Sequence, residues 1–360
     1  MFDNIDITGS FDGGNPQDPD AIIQTGANAF TVIPFSEDND SNYKFRLDLK
    51  VINHSSDRIK LHLNIDWQEP RFNHLRNYVY TKHTEDADWS YHRMHVNQTQ
   101  AMGSIECRAG ETYVCLHPKY NYGDYRRFVV GIPESDRIEK EKIGLTSEGR
   151  ELWGVKINSD GNGKRPIMMV ARVHPYETSG SYCIEGIVDH FSKNLSPFPF
   201  HISPIYNLSP IYLIPMANPD GVYNGLCKLT RPGGTDLSKT CDFTDSCARL
   251  LKSAIDKIQP WIYCEFHNWM WPDRDGIYYL NRLQARRFIR HMPPQDEFKK
   301  TWKVFLKKKW FAHPPHGFKR YCREEYNSLC LCVEYPWYLR GIEDMKKLGT
   351  HTLDSLSRFH

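Results

Sequence analysis

Hydrophobic and polar residues alternate in two segments of the first third of the chain. Residues 43–51 (YKFRLDLKV) and 59–65 (IKLHLNI) have apolar side chains at every second position, with the turn-rich segment 53–57 (NHSSD) between them. A period of two predicts β-strands that bury one face. Shorter apolar segments at 78–80 and 112–116 continue the pattern. Strands separated by turn residues in this way predict an antiparallel β-sandwich domain over residues 1–125.

From about residue 140 the pattern changes to apolar strands that alternate with amphipathic helices. Residues 166–173 (PIMMVARV) are almost continuously apolar, which is typical of a strand buried on both faces. Further apolar strands are predicted at 211–216, 261–266 and 329–335. Apolar residues at helical spacing predict helices near 184–191 and 247–258 and from 342 onwards. The alternation predicts an α/β domain over residues 126–360, with a mixed sheet flanked by helices.

Composition narrows the possible functions. Lys and Arg together number 46 and Asp and Glu 44, so the net charge is only +2 and we expect no nucleic-acid partner. We expect no membrane partner either, because no apolar segment is long enough to span a bilayer and the N-terminus lacks a signal-peptide pattern. The ten cysteines form no C-x-x-C pair, which favours buried thiols in a cytoplasmic protein over a cysteine zinc site. The oligomeric state stays open.

Three of the predicted strands end in residues that can bind a metal or move a proton. The first leads into His174-Pro-Tyr-Glu177, where a His and a Glu three residues apart can face one metal. The second ends at His267, and the third carries Glu334 near its end. The carboxyl ends of strands are where active sites of α/β sheets lie. Two His and one Glu form a catalytic zinc set that leaves a position for water, and a carboxylate beside that water can take its proton.

These residues and several motifs around them resemble the zinc metallocarboxypeptidase family. The motifs follow the family's order along residues 143–336: IGLTSEGR at 143–150, HPYE at 174–177, PMANPDGV at 215–222 and GTDL at 234–237. The resemblance implies a carboxypeptidase-like fold and one zinc ion per chain, held by His174, Glu177 and His267. It also implies that Glu334 is the general base.

The first part of the chain resembles the cytosolic carboxypeptidase branch of that family, which has an N-terminal β-sandwich. Residues 43–53, 89–93 (WSYHR) and 118–125 (PKYNYGDY) resemble that sandwich and the segment that leaves it. The resemblance implies hydrolysis of a peptide or isopeptide-like bond near a C-terminal carboxylate. The substrate would then be a peptide or the C-terminal tail of a protein.

The family pattern changes where the substrate carboxylate is normally bound. The family has D-L-N-R, whereas this chain has Ser238 and Lys239 in place of the Asn and the Arg. A lysine keeps the positive charge but lacks the two parallel donors of an arginine, so we expect looser recognition of the carboxylate.

Two further family residues have no single match. The arginine that polarises the scissile carbonyl corresponds to Lys228 or Arg231, because an insertion of one residue makes the alignment ambiguous. Tyr321 and Tyr326 are candidates for the tyrosine that closes over the substrate.

Two other functions remain open. Related deacylases of the aspartoacylase and succinylglutamate desuccinylase type use the same ligands on N-acyl amino acids, and the short interval from His174 to His267 resembles theirs. A catalytically inactive, peptide-binding relative would account for the change at Ser238 and Lys239, but not for the intact set of ligands. Activity on N-acyl amino acids alone would favour the deacylase, and zinc-loaded protein that binds peptides without turnover would favour the inactive relative.

Overall fold

The chain divides into two compact units. The first comprises Met1–Gly123 with Gly221–Leu229, and the second comprises Asp124–Asp220 with Thr230–His360. The computed structural model describes residues 4–37, 44–70, 73–158, 164–193, 209–240, 243–268, 271–293, 301–305 and 317–359. Residues 221–229 fall within the predicted catalytic domain, yet they group with the first unit. The predicted boundary at residue 125 stays a prediction.

The first unit contains two five-stranded sheets. Its strands are β1 (Ile5–Thr8), β2 (Ile22–Gly26), β3 (Ala29–Val32), β4 (Asp48–Asn53), β5 (Ile59–Asp66), β6 (Tyr78–His83), β7 (Ser90–Arg93), β8 (His95–Asn97), β9 (Gln100–Cys107) and β10 (Gly110–Cys115). The sheet β1-β4-β10-β6-β7 is antiparallel throughout. The sheet β2-β3-β5-β9-β8 is antiparallel except for the pair β3–β5, which is parallel and departs from the prediction. Two such sheets are consistent with the predicted N-terminal sandwich.

The alternation of apolar and polar residues predicts β5 correctly but misplaces the start of β4. In β5 the residues Ile59, Leu61, Leu63 and Ile65 are buried while the residues between them are more exposed, as the period of two predicts. The strand predicted at 43–51 instead begins at Asp48, and Tyr43 lies outside the described residues. Arg46 also departs from the alternation, which predicts that its side chain faces solvent. Its guanidinium is buried, where it donates to the carbonyls of Gly13, Val222 and Leu226.

The second unit is built on an eight-stranded mixed sheet. Its strands are β11 (Ile138–Leu145), β12 (Glu151–Ile157), β13 (Ile167–Ala171), β14 (Ile211–Ile214), β15 (Ile262–His267), β16 (Arg274–Tyr278), β17 (Thr301–Phe305) and β18 (Leu329–Glu334), in the order β11-β12-β14-β13-β15-β18-β16-β17. The central strands β14, β13, β15 and β18 run parallel, so their carboxyl ends lie at one edge of the sheet. The predicted mixed sheet is confirmed.

Helices cover both faces of this sheet. The α-helices within the described residues are α1 (Tyr122–Gly131), α2 (Ser179–Lys193), α3 (Pro219–Tyr223), α4 (Ser246–Ile258), α5 (Arg282–Arg290), α6 (Gly317–Tyr326) and α7 (Ile342–Ser357). On one face, Met168 and Val170 of β13 belong to a buried apolar cluster with residues of α4 and α6. On the other face, Ala171 lies against the start of α2. In the part of the chain that the structure describes, no helix is both long and apolar enough to cross a membrane.

The contact between α2 and α7 depends on glycine. A Cβ atom at Gly349 would lie 2.0 Å from the carbonyl oxygen of Cys183, and one at Gly186 would lie 2.2 Å from that of Lys346. Both neighbours are backbone atoms, so a rotamer change cannot relieve the overlap. The two helix axes approach each other this closely only because these positions have no side chain.

We expect Gly349→Ala to lower the free energy of unfolding by about 1–3 kcal/mol, because the overlap outweighs the better helix propensity of alanine. Denaturant unfolding measures the change. Gly131→Ala is the matched control, since a Cβ there has no neighbour within 4 Å and should leave stability nearly unchanged. Equal stability of the Gly349→Ala protein and the wild type would contradict the close packing of α2 and α7.

Candidate active site

Three neighbouring strands bring the predicted site residues to one edge of the sheet. His267 is the last residue of β15, and Glu334 is the last residue of β18. The two residues are direct partners in the parallel register of these strands. His174 and Glu177 lie in the loop that joins β13, the neighbour of β15, to α2. The four residues therefore meet because the strands are parallel and adjacent.

The two histidines face the carboxylate of Glu177 with the same ring nitrogen. Nδ1 of His174 lies 3.1 Å from Oε1 of Glu177, and Nδ1 of His267 lies 2.8 Å from Oε2. One ligand atom from each residue can be chosen so that all three lie within 4.8 Å of one another. Glu177 and His267 are both only 3% exposed. Three side chains of the types that bind metals therefore converge at a buried position.

The outer nitrogen of each histidine also contacts a carboxylate. Nε2 of His174 lies 3.1 Å from Oδ1 of Asp236, and Nε2 of His267 lies 3.0 Å from Oε2 of Glu265. A neutral imidazole that donates its Nε2–H to a carboxylate presents an unprotonated Nδ1 on the other side of the ring. Two such Nδ1 atoms and one carboxylate are a donor set that suits Zn²⁺. These residues therefore fit a catalytic zinc ion.

The charges in this cluster stabilise one another. Burial by itself would lower the pKa of His174, but the carboxylates of Glu177 and Asp236 raise it to about 9. Burial would raise the pKa of Glu177, but His267 and His174 hold it well below its usual range. Glu177 is therefore ionised and ready to bind a cation.

Glu334 has a different electrostatic environment. Burial raises the pKa of its carboxyl group to about 7, against the opposing effect of His267. Its neighbour Cys332 lies 3.8 Å away, measured from Sγ to Oε1 of Glu334. Glu334, Cys332 and His267 also offer atoms that lie within 4.8 Å of one another. A carboxyl group with a pKa near neutrality, next to a candidate metal ligand, is suited to taking up and releasing a proton.

Comparison with known proteins finds relatives among the zinc carboxypeptidases. Residues 131–243 match the zinc carboxypeptidase family, a segment that includes His174 and Glu177 but ends before His267 and Glu334. Cytosolic carboxypeptidase 6 of Mus musculus is 31% identical over 114 residues, which make up 29% of this chain and 20% of that protein. Cytosolic carboxypeptidase 2 of Macaca fascicularis is 27% identical over 281 residues, or 67% of this chain and 32% of that protein. The resemblance to the zinc carboxypeptidases is confirmed. The chain spans about a third or less of the length of these two relatives.

Solved structures show that the fold is carboxypeptidase-like. A metallo-carboxypeptidase from Burkholderia cenocepacia has a TM-score of 0.77 at 16% identity, with 99% of this chain and 100% of that chain covered. A metallo-carboxypeptidase from Pseudomonas aeruginosa has a TM-score of 0.76 at 14% identity, with 98% of each chain covered. The predicted fold class is confirmed.

Two of the motifs shared with the zinc carboxypeptidases are joined in the structure. Asp220 of the NPDG segment is fully buried and accepts hydrogen bonds from the Arg150 guanidinium at 2.8 Å and the Thr146 hydroxyl at 2.7 Å. Arg150 and Thr146 belong to the segment IGLTSEGR. This charge-assisted contact fixes the loop between β11 and β12 to the start of α3.

The residues predicted to bind a substrate carboxylate lie beside His174, Glu177 and His267, which together form the histidine cluster. The backbone N–H of Ser238 donates to Oδ1 of Asp236 at 3.0 Å, and Asp236 in turn contacts His174. Nζ of Lys239 lies 3.7 Å from Oδ2 of Asp236, and its side chain is 55% exposed. The ammonium group of Lys239 can therefore move toward a ligand. Substrate binding by these two residues stays a prediction.

The other predicted substrate residues have different partners. Arg231 forms an ion pair with Glu148 at 3.2 Å, and its side chain is half exposed. Tyr321 and Tyr326 both donate their hydroxyl groups to Oδ1 of Asp256, at 2.6 and 2.8 Å. Lys228 is buried and belongs to the first unit. Within the described residues, no hydrogen bond or ion pair in the structure connects Arg231 or either tyrosine to the histidine cluster, so their predicted roles gain no support from the geometry.

The sequence analysis did not identify three residues that contact the histidines or their carboxylate partners. Asp236 lies in the GTDL motif, but its contact with His174 depends on the fold. Glu265 had a local signal, because a carboxylate two residues before His267 on an apolar strand points to the same face of the sheet. Lys319 had no signal, since a lysine on an amphipathic helix normally faces solvent.

Proposed function

We propose that this chain is a zinc-dependent carboxypeptidase that hydrolyses a peptide or isopeptide-like bond near a C-terminal carboxylate. The observation that carries the proposal is the convergence of His174, Glu177 and His267, with Glu334 opposite His267 in the register of the sheet. The match to the zinc carboxypeptidase family supports it. Residues 126–360 would form the catalytic domain, and residues 1–125 an N-terminal sandwich domain.

Each member of the cluster would have one role. His174, Glu177 and His267 would hold the zinc ion through two Nδ1 atoms and a carboxylate. When bound, zinc would supply Lewis-acid polarisation of the scissile carbonyl and would acidify a water molecule. Glu334 would take a proton from the attacking water and deliver it to the leaving amine, which requires a carboxyl group that titrates near the working pH.

Basic residues would recognise the substrate. The exposed ammonium group of Lys239, with Ser238 beside it, would bind the carboxylate of the substrate. Arg231, the candidate that belongs to the second unit, would stabilise negative charge on the carbonyl oxygen during the reaction. A single lysine lacks the fork geometry of arginine, so we expect binding of the carboxylate to tolerate more variation than a family D-L-N-R sequence allows.

We propose that the protein acts in the cytoplasm on peptides or protein C-terminal tails. Two observations support this location. The curated relatives named above are called cytosolic. All nine cysteines in the described residues are free and buried, which suits a reducing compartment.

A substrate panel tests the reaction. We expect zinc-loaded protein to release a terminal amino acid from peptides with a free C-terminus and to leave the same peptides intact when the C-terminus is amidated. Mass spectrometry of the products measures both. The matched amides isolate the contribution of the carboxylate, and N-acyl amino acids are included in the panel.

Other outcomes of the panel would replace the proposal. Turnover of N-acyl amino acids with none of peptides would make the chain a deacylase. Zinc-loaded protein that binds the peptides but releases no product would make it an inactive, peptide-binding relative.

A further inference from the structure

A second charged cluster lies behind His267, on the side of the ring away from Glu177. The carboxylate of Glu265 accepts from Nε2 of His267 at 3.0 Å, from the Tyr263 hydroxyl at 3.1 Å and from the ammonium group of Lys319. Glu265 and Tyr263 are fully buried, and Lys319 is only 2% exposed.

Lys319 is also connected, through Ser238, to Asp236, the carboxylate that contacts His174. Its Nζ donates to Oγ of Ser238 at 3.3 Å, and the backbone N–H of Ser238 donates to Oδ1 of Asp236 at 3.0 Å. Asp236 contacts Nε2 of His174 as Glu265 contacts Nε2 of His267. One lysine therefore connects the outer carboxylates of both histidines.

Stability alone does not account for this arrangement. Removing two charges from water costs about as much as their attraction returns, so a buried ion pair stabilises a fold no better than apolar residues of similar size. Glu265 stands in β15, whose other residues before His267 are Ile, Tyr, Cys and Phe. The charge of Glu265 in such a strand is compensated by the ammonium group of Lys319. The carboxylate of Glu265 also contacts the ring of His267.

We propose that Lys319 is a positioning residue of the metal site. It holds the Glu265 carboxylate against Nε2 of His267, which keeps the proton on that nitrogen and directs Nδ1 toward Glu177. Its contact with Ser238 also helps to hold Asp236, the carboxylate that contacts Nε2 of His174. This inference rests on the proposed function, because it takes His174 and His267 to be metal ligands.

The test is zinc affinity, measured by competition with a chromophoric chelator, together with the visible absorption of the Co²⁺-loaded protein. Loss of an outer partner of a metal-binding histidine weakens metal binding by about 10–100-fold. We expect Lys319→Met to weaken zinc binding by that factor and to change the Co²⁺ spectrum. Phe318→Leu is the matched control, because Phe318 precedes Lys319 on α6 and lies in the apolar cluster. It should lower the melting temperature without changing zinc affinity.

A double variant shows whether Lys319 acts through Glu265. Glu265→Gln should also weaken zinc binding, and the combination with Lys319→Met should bind zinc no more weakly than Glu265→Gln alone. The double variant removes both buried charges together, so it supplies the affinity measurement where the single variant does not fold.

Several results would overturn the proposal. The first is a folded Lys319→Met protein, or a folded double variant, with the zinc affinity and Co²⁺ spectrum of the wild type. The second is an additive loss in the double variant, which would mean that the two residues act independently. Wild-type protein that binds no zinc would overturn the proposed function itself, whereas unchanged affinity in the variants would overturn the positioning role alone.

Discussion

Replacing Glu334 with Gln is expected to abolish peptide hydrolysis while zinc binding is retained. Glu334 lies opposite His267 but is not one of the three residues proposed to hold the metal. A carboxamide has nearly the shape of a carboxylate but cannot take a proton from water. The loss of a general base costs about 10²–10⁴-fold in rate, so we expect kcat to fall by at least that range.

The pH dependence of the wild type provides a second signature of the same residue. Burial raises the pKa of Glu334 to about 7, and a general base acts only when it is ionised. Activity should therefore fall as the pH drops through this pKa. A bound cation favours the ionised form, so the acidic limb of kcat/KM should lie at or below pH 7 in the zinc-loaded enzyme. Any residual activity of Glu334→Gln should lack this limb.

Glu325→Gln is the matched control, since it makes the same chemical change at an exposed position of α6. Kinetics with a peptide from the substrate panel, together with zinc content by mass spectrometry, measures both properties. Unchanged turnover in Glu334→Gln would remove Glu334 from the mechanism. Loss of zinc along with activity would instead make Glu334 part of the metal site.

The double variant His174→Ala, His267→Ala is expected to lose its zinc entirely, whereas the wild type should hold about one zinc ion per chain. The structure offers two Nδ1 atoms and the Glu177 carboxylate, so the variant would retain one of the three donors. A single exposed or buried carboxylate does not hold zinc at useful affinity. Zinc content after dialysis against a metal-free buffer measures the difference.

Zinc affinity should also rise with pH. The carboxylates around His174 raise its pKa to about 9, so zinc must displace a proton from this ring at neutral pH. Affinity should therefore increase as the pH approaches 9 and level off above it. Proton release can be measured by calorimetry in buffers of different ionisation enthalpy.

The control for the double variant is His54→Ala, His62→Ala, which removes two exposed histidines of the first unit. It should hold as much zinc as the wild type. If the wild type and the double variant both fail to hold zinc that is supplied to them, the metal site does not exist. The inactive, peptide-binding relative would then be the function to pursue.

Periodicity along the chain predicts the elements that carry the candidate site. The apolar segments at 166–173, 261–266 and 329–335 correspond to β13, β15 and β18, because a strand buried on both faces needs a continuous run of apolar residues. His174, Glu177, His267 and Glu334 could be selected from the sequence because they follow or end those strands. The parallel order of the strands then brings their ends together.

Short strands and their partners were harder to predict. The pair β16–β17 and the parallel contact between β3 and β5 depend on segments far apart in sequence, and no local pattern specifies which segments pair. The grouping of Gly221–Leu229 with the first unit depends on contacts such as the one from Arg46 to Leu226, across 180 positions. Only the folded chain defines such contacts.

The sequence by itself determined the order of the main elements, the mixed sheet and the identity of the four residues at its edge. It did so because hydrophobic period and strand-end position are local properties. The tertiary structure alone decided which nitrogen of each histidine faces Glu177 and which carboxylates support the other nitrogen. It also decided that Lys319 is a buried partner of Glu265, because the direction of a side chain depends on what packs against its helix.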